Sequence, residues 1–280
     1  MNLFDDNFVK DLPRQFCQRW WELQVAWHLK NTGCFIEHRA KGPDFICTKN
    51  GSRFYVEAVA CECGVDLSSD SVQPPKWQRL KPGETEFIGP QSIPECERRE
   101  ILRFRNSIGK KTTKYRAFLV DADCGVDADV PYVLAISPIR MVLEAPLVGS
   151  WNMPSICKAV YGVGATSVVV GGGGGELSEV RTEHRPEVRK TETSSPVNAN
   201  VFAPDGGGNL YDKISGILYS ETNFRICDYP YADDALREEF VFCHNANAQN
   251  EVAKGLVGAA TEYRAEKTHG GYVVRREVVS

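Results

Sequence analysis

The order of hydrophobic patterns predicts an α/β protein: a mixed β-sheet core flanked by helices, followed by a long irregular C-terminal elaboration. Three observations predict it. A helical stretch precedes a β-hairpin signal near residue 50, and a second helical stretch follows. Val133-Leu134-Ala135-Ile136 then runs apolar throughout, as in a strand buried on both faces.

Residues 14–31 give the first helix. Trp20, Leu23 and Trp27, with Val25 and Leu29 on the adjacent row, recur at three- and four-residue spacing, and Gly33 supplies a C-terminal stop. Phe35–His38 reads as a short strand. Phe45–Thr48 and Phe54–Ala60 then form a hairpin, because Asn50-Gly51 takes the positive φ angles of a tight turn. Residues 62–95, rich in Pro, Gly, Ser and acids, read as a long loop, a kind that is usually functional or mobile. A second helix is predicted from about Glu95 to Phe118, with Pro94 before it and acids in its first turns. Its apolar face is Ile101, Phe104, Ile108, Tyr115 and Phe118.

Tyr132–Ser137 completes this part. Beyond it the pattern weakens. Val160–Gly164 and Ser167–Val170 read as additions to the sheet, and Gly171–Gly175 as a loop tip that lacks the following helix of a phosphate loop. Arg181–Asn200 is polar and reads as an excursion, Ile214–Ser220 and Phe240–Cys243 read as strands, and the tail beyond Glu251 has no assignable pattern.

Composition narrows the function classes. A 280-residue chain that is 42% hydrophobic and 25% charged has the makeup of a globular protein able to bury a sizeable core. Its net charge of −4 gives no overall attraction to nucleic acid, so only a local basic patch would serve that purpose. The ten cysteines are scattered, several within apolar runs, and read as reduced thiols used as small hydrophobes. No run approaches the ~20 apolar residues of a membrane helix, and the first residues lack a signal-peptide pattern. The expectation is a cytoplasmic protein with no membrane partner.

Two acids stand out. Asp44 opens the first hairpin strand and Glu57 lies within the second, both in strongly apolar surroundings. A carboxylate there is costly unless something pairs with it or coordinates it. The hairpin returns the two toward one another, which makes an oxygen site for a hard divalent cation such as Mg²⁺, with Mn²⁺ as a substitute and the Ala58 carbonyl as a third ligand. Glu22, near the edge of the first helix face, is either a solvated surface acid or a member of this site. Lys111 falls on the apolar face of the second helix and is either a snorkelling side chain or aimed into the site; Lys110 and Lys114 are expected to point elsewhere. The same helix carries Arg98, Arg103, Arg105 and Lys114, the local basic patch.

Pro43-Asp44 followed by Glu57-Ala58-Val59, between two helices, resembles the PD-(D/E)xK signature of the restriction-endonuclease-like nucleases, over roughly residues 14–137. The resemblance implies a nuclease-like core in residues 1–147 and, in 148–280, extra strands and loops on the same domain. It implies Mg²⁺-dependent hydrolysis of a nucleic acid, DNA before RNA, by in-line attack of water that leaves a 5′-phosphate. Asp44 and Glu57 would bind the metal, Glu22 a water or second metal, and Arg98, Arg103, Arg105 and Lys114 the phosphate backbone. A homodimer is compatible with cutting both strands. The departure is Val59, which stands where the family carries its lysine. Two readings follow: Lys111 replaces it from the helix, or the site is inactive and the fold serves as a nucleic-acid-binding or protein-interaction module.

Overall fold

The computed structural model describes residues 8–39, 41–64, 68–72, 93–141, 153–170, 177–204, 206, 210–221 and 240–279. The chain is a mixed α/β protein with helices on both faces of an eight-stranded sheet. Helix α1 (Phe8–Asp11) leads into α2 (Phe16–Asn31), then β1 (Phe35–Glu37), β2 (Phe45–Lys49), β3 (Ser52–Ala60), α3 (Ile93–Val120) and β4 (Tyr132–Ser137). The second half adds α4 (Ser155–Tyr161), β5 (Val163–Val170), β6 (Leu177–His184), β7 (Glu187–Arg189), β8 (Pro196–Asn198), β9 (Gly216–Tyr219), β10 (Val241–His244), β11 (Thr261–Thr268) and β12 (Gly271–Val278). The large sheet runs β1-β2-β3-β4-β9-β10-β11-β12, and β5-β6 and β7-β8 form two small ribbons.

The hairpin is as its turn chemistry requires. Asn50 and Gly51 sit at φ 52° and 77°, and Lys49 pairs with Ser52 across the turn. β3, β4 and β9 run parallel to one another, at the centre of the sheet and covered on both faces, which is why they read as continuous apolar runs. One face carries Tyr55, Tyr132, Leu134 and Ile136 against Ile101, Phe104, Ile108 and Tyr115 of α3. The other carries Phe54, Val56, Ala58, Val133 and Ala135 against Trp21, Val25 and Leu29 of α2.

The buried side of α2 is rotated from the expected one. Trp21, Glu22, Val25, Ala26, His28 and Leu29 are buried, whereas Trp27 is 48% exposed. Trp21 sets the rotation, because its indole N–H donates to the Ala135 carbonyl at 2.8 Å beneath the sheet.

The second half differs most from expectation. Its strands β9 to β12 extend the same sheet, so it is not an irregular elaboration. Ser155–Tyr161 is a helix; nearly all of it is buried, so its run of apolar residues mimics a strand, and Gly162 ends it at φ 63°. Arg181–Asn200 is not an excursion, since its polar residues form the end of β6 and the β7-β8 ribbon. The unassigned tail is the β11-β12 hairpin, whose turn is His269-Gly270 rather than a strong Asn-Gly signal. Charged residues along β12, the outermost strand, suit a sheet edge. The Pro-rich loop within 62–95 and the Gly171–Gly175 tip lie largely outside the described residues. The eight cysteines whose side chains are described are free thiols, six of them buried. Among the described residues no helix is long and apolar enough to cross a membrane.

A turn near the C-terminus docks on the end of α2. His28 stacks on Phe240 and its Nε2 lies 3.0 Å from the Val257 carbonyl oxygen. Gly258 sits at φ 74°, and a Cβ built there lies 2.4 Å from the Cβ of the buried Thr32. Gly258→Ala is therefore expected to lower stability by about 1–3 kcal/mol from the backbone alone, with the collision adding to it. Gly270→Ala meets nothing within 4 Å and is the matched control. Thermal unfolding of the two variants measures the difference.

Candidate functional site

The site forms where the opening of β2 faces the middle of β3 and α3 crosses above them. Phe45 pairs with Val56, which sets Asp44 beside Glu57 on the α3 side of the sheet. Asp44 Oδ2 accepts from the Ala58 backbone N–H at 2.8 Å, standing in for a strand that stops one residue short. Gln18 of α2 continues the substitution: its Nε2 donates to the Ala58 carbonyl at 3.1 Å and its Oε1 accepts from Ala60 N–H at 2.9 Å. The exposed edge of β3 is thus closed by side chains, as its buried backbone requires.

Glu57 is fully buried, and its Oε1 accepts from Lys111 Nζ and Lys114 Nζ, each at 2.6 Å. Lys111 reaches the site, as one of its two readings held. Lys114 does too, which corrects the expectation that it points elsewhere. Positions three apart on a helix share a face, and the four-carbon stem carries the ammonium the remaining distance. The other oxygen, Glu57 Oε2, is buried and has no hydrogen-bond partner in good geometry; the same holds for the Tyr132 hydroxyl. Tyr132 is stacked against Tyr115 at 3.6 Å between ring centroids.

The charges interact strongly. Burial, and then the charges of Glu57 and Glu22, push the Asp44 carboxyl up to about 7, against the opposing pull of Lys111 and Lys114. Burial, then Glu57 and Asp44, hold the Tyr132 hydroxyl well above its usual range, so it stays protonated. Burial works against the Lys114 ammonium, but the charge and hydrogen bond of Glu57 outweigh it and its pKa is raised. Lys114 is therefore a fixed cation and not a base.

Glu22 is buried, with Oε1 accepting from Gln18 Nε2 at 3.0 Å and Oε2 from Arg19 at 2.8 Å. It is not a solvated acid. Both oxygens are engaged, and its reach into the site is electrostatic, through Asp44.

The arginines proposed for phosphate contact are not brought to this site. Arg98 donates to Asp70 at 2.7 Å, to the Arg189 carbonyl at 2.8 Å and to Thr191 at 2.7 Å. Arg105 is 5% exposed, lies over the Tyr211 ring and donates Nε–H to the Asn198 carbonyl. The Arg103 guanidinium lies against Gly64. Arg98 and Arg105 tie α3 to the β7-β8 region. They are corrected to structural cations, since a guanidinium already bonded inside the protein has few donors left for phosphate.

Gln18 and Tyr132 are site residues that the sequence reading does not name, and Lys114, expected on the phosphate backbone, stands on Glu57 instead. Gln18 was legible in part, since it precedes Glu22 by one helical turn. The Tyr132 hydroxyl left no sequence signal, because any buried tyrosine at the start of a strand reads as core.

Among the described residues no group of three or more His, Cys, Asp or Glu side chains is placed to hold a metal ion. The donor set available to a cation is Asp44, Glu57 Oε2, which the lysines leave open and the Tyr132 hydroxyl faces, and, in exchange for Gln18, the Ala58 carbonyl. This all-oxygen set fits a hard divalent ion. Fold and site together define a mixed α/β protein in which a buried glutamate bound by two lysines stands beside a half-buried aspartate. Compared with known protein families, curated proteins and solved structures, the chain matches none.

Proposed function

We propose that the chain is a divalent-metal-dependent phosphodiesterase acting on nucleic acid, DNA in the first instance, on a restriction-endonuclease-like core. The observation that carries this reading is Glu57. A fully buried carboxylate holds two ammonium groups on one oxygen and leaves the other outside those bonds, with the Tyr132 hydroxyl against the carboxylate and a half-buried second acid, Asp44, beside it. Such an arrangement is costly for a fold that needs only packing. Asp44, Glu57 Oε2 and the Ala58 carbonyl would hold Mg²⁺, or Mn²⁺ in its place. The ion would supply Lewis-acid polarisation of the scissile phosphate.

The residues of the chain do the rest. Lys111 and Lys114 place positive charge where the phosphoryl oxygens gain negative charge. They take over the task of the lysine absent at Val59. Asp44, with its carboxyl near 7, gains its charge at neutral pH as the cation enters. Gln18 holds the strand edge in register. The exposed Lys110 lies on the same helix and offers a further backbone-phosphate contact.

A second reading has its own observation. Lys111 and Lys114 already neutralise Glu57, and Gln18 already occupies the Ala58 carbonyl. A site satisfied in this way suits a nucleic-acid-binding module that cuts nothing. The deciding experiment incubates the pure protein with supercoiled plasmid, single-stranded DNA and RNA, with Mg²⁺, Mn²⁺ or EDTA. Metal-dependent cutting supports the enzyme; salt-sensitive binding without cutting supports the module.

The two lysines separate further. With side chains 20% and 44% exposed, Lys111 is the more enclosed of the pair. Lys111→Met is expected to slow cleavage more than Lys114→Met, and the double variant about 10²-fold or more. Single-turnover rates measure this. A double variant with the wild-type rate removes the lysines from the mechanism.

A further inference from the structure

A second polar cluster lies beyond the C-terminal end of β10. This point is three strand positions from β3, on the order of 15 Å at ordinary strand spacing. A cavity of about 310 Å³ opens there, lined by Arg264, Lys267, His244, Glu251, Asn245 and Ser215 among others. That volume is at the lower end of small-molecule sites.

Behind the cavity wall runs a chain of buried hydrogen bonds. The Gly255 N–H donates to Glu262 Oε1 at 2.8 Å, and His244 Nε2 lies 2.8 Å from Glu262 Oε2. Arg264 lies 3.2 Å from His244 Nδ1. A guanidinium only donates, so Nδ1 is the acceptor and the imidazole is the Nε2–H tautomer, donating to Glu262. Glu262 and His244 are 2% and 4% exposed. The backbone is also held at this point, since the Tyr161 hydroxyl shares its one proton between the carbonyls of His244 and Tyr263, at 2.7 and 2.8 Å. A buried carboxylate and imidazole are thus spent on orienting one arginine at the mouth of a cavity. Rigid orientation by outer hydrogen bonds is what a binding arginine needs.

Arg264 has two side-chain partners among the described residues, His244 and, at 3.8 Å, Glu251. Most of its five N–H donors remain for a ligand. We infer that this cavity binds a small oxyanion-bearing molecule, with the Arg264 fork on the oxyanion, Lys267 adding positive charge, and Glu251 accepting from a hydroxyl or amine on the same ligand. The planar fork suits phosphate or carboxylate.

The test is isothermal titration of the full chain with inorganic phosphate, a 5′-mononucleotide and acetate, at constant ionic strength. Saturable binding of at least one is expected. Preference for the mononucleotide over phosphate assigns the remaining space to its sugar and base, and binding of acetate alone assigns a carboxylate ligand. Arg264→Ala is expected to weaken binding about tenfold or more. Arg264→Lys keeps the charge but not the fork, and shows the same loss if the alanine variant does not fold. Glu262→Gln, with circular dichroism unchanged, is expected to weaken binding through Arg264, which a merely structural role would not do. A Lys111→Ala/Lys114→Ala variant separates the two sites, because binding here survives it. No saturable binding of any of the three anions overturns the inference. So does equal affinity in the Arg264 variants, or binding lost with the two lysines.

Discussion

Glu57→Gln is expected to reduce metal-dependent cleavage by about 10²–10³-fold while leaving the protein folded. The substitution keeps the shape and an acceptor for Lys111 and Lys114, so the packing against α3 is retained. It removes the charge that a hard cation requires and that anchors both ammonium groups, which lie 2.6 Å from Oε1. Lys114 is nearly half exposed and swings to water once its partner is neutral, which limits the stability cost. Binding of nucleic acid to the variant in EDTA is expected to persist, since the surface lysines remain. Cleavage at the wild-type rate by a purified, folded Glu57→Gln protein would sink the enzymatic reading.

Asp44→Asn is expected to stabilise the protein at pH 8 and to leave it unchanged at pH 3.5. The Asp44 carboxyl has an ordinary value of 3.8 and is pushed up to about 7 in the fold, first by burial and then by the charge of Glu57. The folded state therefore holds a proton that the unfolded chain releases across that interval. Stability falls as pH rises from about 4 to about 7 and then levels off. The loss is on the order of 4 kcal/mol at 1.36 kcal/mol per pH unit. Asparagine carries no such charge and still offers Oδ1 to the Ala58 N–H. The gap between the variant and the parent in Tm should open across this window, and a gap independent of pH would refute the assignment. The ion enters the same balance. Mg²⁺ favours the ionised acid, so it is expected to raise the parent's Tm more at pH 8 than at pH 5, and to do little for Asp44→Asn.

Much of the first half was legible because its signals are local. Asn50-Gly51 specifies a turn wherever it occurs with alternating neighbours, and the turn fixes the register that returns Asp44 to Glu57. The helices were found by their periodicity. Periodicity also puts Lys111 on the apolar stripe of its helix, but leaves open whether it snorkels outward or enters the site, where the structure sets its ammonium on Glu57.

Errors arose where a long side chain or a crowded neighbour decides. Lys114 is expected to point elsewhere, yet it lies three positions from Lys111, on the same side of the helix, and its stem carries the ammonium to Glu57. The arginines of α3 were read as a phosphate-binding face. The structure gives Arg98 and Arg105 partners from residues 189–211, about a hundred residues further along the chain, which no local pattern announces. The helix Ser155–Tyr161 lost its period because five of its seven residues are buried, on nearly every side. The tail hid its hairpin because β12, at the sheet edge, buries no residue fully, so its apolar and charged residues do not alternate.

By itself the sequence determined the hairpin, its two acids and the flanking helices, since each rests on contacts close along the chain. The tertiary structure decided what those acids do. It set two lysines on one oxygen of Glu57 and left the other outside those bonds, gave both oxygens of Glu22 to neighbours, and closed the strand edge with Gln18. It also carried the last strands back to the central sheet, where His244, Glu262 and Arg264 meet. The physical reason is that the energy of a buried charge depends on every group within several ångströms, and those groups are assembled from distant parts of the chain.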